Sequence, residues 1–297
     1  MTVTPFPLLL GDAFTSLVRL SHGDLFPKVL VILGTIALSL SLRTFPYPAL
    51  RKIGALGVLV TSFLIGWLLS GGIWQVGAFC ASSWLLLPWL EILTRVRRLT
   101  LPLEKNLRHK TPPNSGTFPA LDEITAEIEG EKFEHVDDVG WDWQDYAQFF
   151  RLFYKAADRS QSAICLIDQH DVAFYYLSIS SRAQDGTIWT TWNYPFSYSL
   201  KLVPQWRVNR LRGDQTFLQM YESHRHFLNM NRVALADLAE LDPETIQQDI
   251  QKDLRAQVTH NIAAGILKQN ASGEIRYSWR GMFFIWMQFL RDLVRLS

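Results

Sequence analysis

The chain has 297 residues, 48% of them hydrophobic, and 29 basic against 28 acidic side chains give a formal net charge of +1. That total joins two unlike halves: residues 1–110 hold 11 Lys and Arg against 4 Asp and Glu, and residues 111–297 hold 18 against 24. An acidic second half excludes nucleic acid as a partner, since phosphate neutralisation needs a basic face. The two cysteines, Cys80 and Cys165, have no CxxC neighbour and offer neither a disulfide framework nor a zinc signature.

Residues 1–24 read as an N-terminal segment, mildly amphipathic between Phe6 and Leu20, that lies on a membrane surface. A cleaved signal peptide is not expected, because no basic cluster precedes the apolar stretch and no small-x-small site follows it. Residues 25–94 form the expected transmembrane region. Its centre is an uncharged run of 38 residues, Ile53–Leu90, broken by Gly71-Gly72. As one helix this run would be about 57 Å long, against a bilayer core of about 30 Å. It therefore reads as two crossings, about 53–70 and 73–93, folded back at the glycine pair. Trp67, Trp74 and Trp89 stand near the ends of these crossings, where indole rings favour the interface. An earlier crossing at about 25–42 is expected if Lys28 snorkels to the headgroups. Pro88 is expected to kink the last turns of the third crossing.

The glycine turn carries no Lys or Arg. Arg43, Arg51 and Lys52 join the first two crossings, and Arg95, Arg97, Arg98, Lys105, Arg108 and Lys110 follow the third. Basic loops stay cytoplasmic, so the expected topology has the N-terminus outside and the C-terminal domain in the cytoplasm, as in a bacterial inner membrane. The six basic residues after the third crossing are also the candidate contacts to anionic lipid.

Residues 95–117 read as a basic juxtamembrane segment and linker, ending in Thr111-Pro112-Pro113-Asn114-Ser115-Gly116. Residues 118–297 read as a cytoplasmic α+β domain with an antiparallel meander sheet and C-terminal helices. A first helix starts near Pro119 and ends at Gly130. β-like segments follow at 132–136, 162–167, 172–180 and 187–194, with 145–154 open to strand or helix. Asp168-Gln169-His170-Asp171 and Asp185-Gly186 read as turns. Helices are expected at about 214–229 and 243–263, then a short hairpin, 265–268 with 274–278, and a last helix from Trp279. On a wheel of about 100° per residue, that last helix places Arg280, Arg291 and Arg295 on one face and a broad Met, Phe, Trp and Leu face opposite. It reads either as packed onto the sheet or as lying on the bilayer or the crossing helices.

Chemistry is sparse. No phosphate loop, Walker pattern or nucleophile elbow occurs. His224 and His226 flank Arg225, but helix positions i and i+2 point about 200° apart, so one is expected inside and the other in solvent. The ten acidic residues between Asp122 and Asp145 match no EF-hand spacing, and neither a metal nor a cofactor is expected. Thr190, Trp192 and Asn193, at a strand end, are the candidate ligand-cleft residues, and His224 and Asp168 are the speculative catalytic pair. The first helix bounded by Gly130, the strand ending in Thr191-Trp192-Asn193, Glu222-Ser223-His224 and Tyr277-Ser278-Trp279-Arg280-Gly281 give residues 118–297 a loose likeness. The segment resembles uncharacterised bacterial membrane-anchored proteins of unknown function, and the resemblance implies no activity. The expected function is a membrane-anchored cytoplasmic binding or interaction module, its partners the bilayer and another membrane or cytoplasmic protein. The alternative is a membrane-anchored hydrolase with a site in the α+β domain. An accessory subunit of a membrane complex or transporter ranks third, because the apolar runs contain no charged residue to mark a path.

Overall fold

The structure, a computed structural model, describes residues 24–296 apart from 46, 145, 170, 171, 197, 214 and 272. The amphipathic segment before Asp24 and the turn residues His170 and Asp171 thus lie outside the described residues. The chain divides into two compact units, one reaching to Arg98 and resuming at Met282, the other Leu99–Gly281.

The first unit is helical. Helix α1 spans Leu25–Thr44, α2 Pro48–Leu69 and α3 Trp74–Thr94. Two helices, Leu25–Thr44 and Ala49–Leu69, are long and apolar enough to cross a membrane, and a third qualifies as a pair, Trp74–Trp84 and Leu86–Arg98, bent by 48°. The cause of the bend is Pro88, which has no N–H to offer the carbonyl of Trp84 and crowds it. Helix α2 starts five residues before the charge-free run because Pro48 opens it, its missing N–H costing nothing in a first turn.

The α2–α3 turn is a Schellman closure: Gly72 N–H donates to Trp67 O at 2.9 Å and Gly71 N–H to Leu68 O at 3.4 Å. Gly71 and Gly72 have φ of +75° and +91°, which only glycine adopts without strain. Close backbone approach then joins the helices. A Cβ on Gly66 would lie 2.7 Å from Val76 O, and one on Gly77 2.8 Å from Phe63 O. Such small-residue packing is how helices associate where the solvent is itself apolar.

The second unit is an α+β domain on an open, seven-stranded sheet. Its strands run β2 (Arg108–His109), β3 (Glu134–Trp143), β4 (Tyr146–Lys155), β5 (Ser160–Gln169), β6 (Val172–Arg182), β7 (Ile188–Trp192) and β8 (Trp206–Arg210), paired in that order. A smaller sheet holds β1 (Thr100–Pro102), β10 (Glu274–Tyr277) and β9 (Leu267–Gln269). Residues 100–102 and 108–109, read as juxtamembrane linker, are thus strands. The ambiguous segment 145–154 is strand β4. The antiparallel meander holds only through β7, since β8 lies parallel to β7, Ile188 opposite Trp206 and Trp192 opposite Arg210. A parallel partner needs a crossover, here residues 193–205. Asn261 pins it, accepting from Lys201 N–H and donating to Lys201 O, both at 2.8 Å.

Helices cover both faces of the large sheet. On one, α4 (Leu121–Gly130) and α5 (Phe217–Met230) bury Ile124, Ile128, Phe217 and Met220 against Phe149, Phe153, Ile164, Leu177 and Ile179. On the other, α6 (Ile246–Ala263) packs Ile246, Ile250 and Leu254 against Phe150, Leu152, Ala163 and Cys165. Helix α4 ends at Gly130, as the sequence indicates, and the chain turns away two residues on at Lys132, in the left-handed region at φ 65°. The acidic stretch is partly internal: Asp138, 6% exposed, accepts two hydrogen bonds of 2.8 Å from Arg151. Burial alone would raise the Asp138 carboxyl, but the Arg151 and His135 hydrogen bonds and charges outweigh it and hold it low.

The last helix is α7 (Trp279–Leu296). From Met282 onward it belongs to the helical unit, and its Trp286 ring lies 5.7 Å from that of Trp89.

Candidate functional site

Strand alternation decides which side chains can converge. Even-numbered residues of β6, β7 and β8 face α6, and odd-numbered ones face α5. Between the α6-facing side of β5–β8 and α6 lies a cavity of about 120 Å³, lined among others by Tyr176, Thr190, Trp192, Trp206, Ile250 and Asp253. Thr190 and Trp192, read from the sequence as cleft residues, both line it. Asn193 does not line it: its Oδ1 accepts from Leu177 N–H at 2.7 Å, and its own N–H donates to Leu177 O at 3.3 Å, extending the ladder past the end of β7.

The walls combine aromatic rings with short hydroxyls. Thr190 and Ser180 share a hydrogen bond of 2.9 Å. Tyr176 and Trp192 meet edge to face at 6.4 Å, and the aromatic packing continues outward through Tyr194 and Tyr198. The buried indole N–H of Trp192 has no hydrogen-bond acceptor among the described residues. Asp253 is the single ionisable carboxylate in the lining, and no Lys, Arg or His lines the cavity among the described residues. Burial raises the Asp253 carboxyl, partly offset by Arg182, whose guanidinium donates to it at 2.7 Å. The Cys165 thiol under the floor is pushed up to about 12 by burial, so it stays protonated and unreactive.

The speculative catalytic pair does not come together. His224 is 1% exposed on α5, its ring nitrogens 3.2 Å from Ser181 Oγ and 3.1 Å from Thr191 Oγ1. Asn209 extends this network to Ser223 at 3.0 Å. Burial lowers His224 to about 4, so the ring is neutral and serves as a core polar node. As the helical spacing requires, His226 is exposed. Asp168 belongs to β5, opposite Ala173. It lines a separate cavity with Lys110 and Asn114. Ala173 and Ser181 are eight residues apart on β6, roughly 26 Å at about 3.3 Å per residue. A proton relay between the two is therefore out of reach.

The basic cluster is divided as well. Arg95 pairs with Glu91 at 3.0 Å, and Arg97 and Arg98 are exposed at the end of the helical unit. Lys105, Arg108 and Lys110 belong to the other unit. Lys105 Nζ sits 4.9 Å over the Trp141 ring, and burial lowers it to about 8. Arg108 lies in β2 opposite Gly140, and Lys110 donates to Asp142 at 2.5 Å.

Membrane-length helices joined to an α+β domain with one aromatic-walled cleft is the class of protein that these features define. Set against protein-family models, curated proteins and solved structures, the chain matches none.

Proposed function

We propose that the chain is a membrane-anchored binding module. Helices α1–α3 are its three crossings, its N-terminus is outside, and the α+β domain is cytoplasmic and holds a small ligand between the sheet and α6. The basic loops around the charge-free glycine turn support the orientation. One observation carries the ligand reading: an aromatic-walled cavity that, among the described residues, has an indole N–H without an acceptor and one carboxylate but no cationic side chain in its lining.

Its volume of about 120 Å³ compares with the roughly 150 Å³ cavity that takes benzene, so the ligand part enclosed is one ring. Aromatic walls favour a ring or a cationic group. The lone carboxylate disfavours phosphorylated and other anionic ligands. Ligand-observed NMR on the full chain in nanodiscs, with neutral, cationic and anionic single-ring fragments, tests this. Neutral and cationic rings are expected to bind, Trp192→Ala to abolish binding, and Asp253→Asn to weaken the cationic class about tenfold. Binding that ignores Trp192→Ala, or a preference for anions, would overturn the reading. Reporters at Gly71 and at the C-terminus are expected in opposite compartments.

A further inference from the structure

Helix α7 leaves the α+β domain and joins the helical unit from Met282 onward, although its uncharged stretch is too short to cross a bilayer. Gly281–Leu290 is ten residues, or about 15 Å of helix against a core of about 30 Å. One side of it is nonetheless apolar and uncovered: Phe283 is 51% exposed and Met287, one turn on, 46%. The Phe283 and Trp286 rings lie 5.3 Å apart, and Trp286 reaches Trp89 at 5.7 Å.

Trp89 sits near the end of α3, shortly before exposed Arg95, Arg97 and Arg98. Indole rings concentrate where hydrocarbon meets headgroups, and basic residues stand just beyond. The tryptophan pair therefore ties α7 to the rim of the crossings, not to their middle. Arg291, one turn beyond Met287 and at the edge of the apolar arc, is exposed. A helix with a broad apolar arc that leaves Phe283, Met287 and Phe289 uncovered, arginines on the remaining arc and a length short of a crossing has the build of an in-plane interfacial helix.

We propose that α7 lies in the membrane–water interface beside the end of α3, its Phe283–Met287 face sunk into lipid and Arg291 at the phospholipid phosphates. The domain would then be held to the bilayer at both of its ends. This rests on the membrane-anchor reading, and the test separates the two. In the full chain in phospholipid vesicles with Cys80→Ser, spin labels are placed singly by Phe79→Cys, Phe283→Cys, Met287→Cys and Gln288→Cys. Cys165 is buried and stays unlabelled. Immersion is read from relaxation by oxygen against a water-soluble nickel chelate.

Phe79 is 70% exposed on α3 and reports the anchor. The expected pattern is a deep label at 79, shallow lipid-embedded labels at 283 and 287, and a water-exposed label at 288. A deep 79 with 283 and 287 both in water overturns the α7 proposal and leaves the anchor standing. Equal immersion at 283, 287 and 288 also overturns it, since an in-plane helix must alternate. A label at 79 in water removes the anchor reading and the inference with it. Two labels on the apolar face keep the outcome decisive if one substitution prevents folding.

Discussion

The two units use the same side chains in opposite places. In the helical unit large apolar residues face outward, with Phe26 at 76% and Phe79 at 70% exposure, and the helices meet through Gly66 and Gly77. In the α+β domain Phe153 and Phe217 are fully buried. Polar groups follow the same inversion. Ser39 and Thr61 return their hydroxyls to their own helix, to Thr35 O and Gly57 O, whereas Asp138, His224 and Asn261 bind across elements. Each unit is therefore built for a different solvent: one satisfies its backbone internally and offers hydrocarbon outward, the other hides hydrocarbon from water.

The sharpest way to break this comparison is to truncate the same residue type in both units. Phe153→Ala is expected to cost about 3–5 kcal/mol in chemical unfolding of the domain, and Phe79→Ala less than about 0.5 kcal/mol in micelles. Equal losses would mean that the helical unit has a water-shielded core like that of the domain.

Buried histidine gives the next effect. His224 falls from the usual 6.5 to about 4 on folding. As pH drops below 6.5 the unfolded chain takes up this proton and the folded one does not, so stability falls between about 6.5 and 4. At about 1.4 kcal/mol per pH unit the loss approaches about 3 kcal/mol. Melting profiles should show it, and His224→Gln should flatten that part of the curve relative to the unsubstituted chain.

Glycines give the smallest contrast. Gly66→Val, whose Cβ would meet Val76 O at 2.7 Å, is expected to destabilise the helical hairpin by about 1–3 kcal/mol. Gly130→Ala, with nothing within 4 Å, should stabilise α4 by about 0.5–1 kcal/mol. Detergent titration and urea unfolding read the two.

What the sequence disclosed follows the range of the forces involved. The glycine turn, the β5–β6 and β6–β7 hairpins and the start of α5 are local, set by φ at Gly71, by short turns and by the Thr216–Gln219 capping box. Strands β1, β2 and β8 were missed because each is short and owes its existence to a partner far along the chain, as Thr100 does to Arg276. The cleft was half legible. Thr190 and Trp192 share a face by alternation, and Asn193, just past the strand, is held instead by the Leu177 N–H, but Tyr176, Trp206 and Asp253 reach that cleft only through pairing and α6 packing. His224 carried its helical spacing in the sequence, while its hydroxyl partners Ser181 and Thr191 did not.

The small sheet has a mechanical consequence. Because β1 and β10 run antiparallel with Thr100 opposite Arg276, the start of one and the end of the other lie at the same end of the pair. Those are also the two exits of the domain, at Leu99 and Gly281. A pull separating the exits therefore loads the β1–β10 hydrogen bonds one at a time, as a zipper, and does not shear them together. That three-residue clasp yields first, so tension between α3 and α7 is spent there before it reaches the cavity under α6.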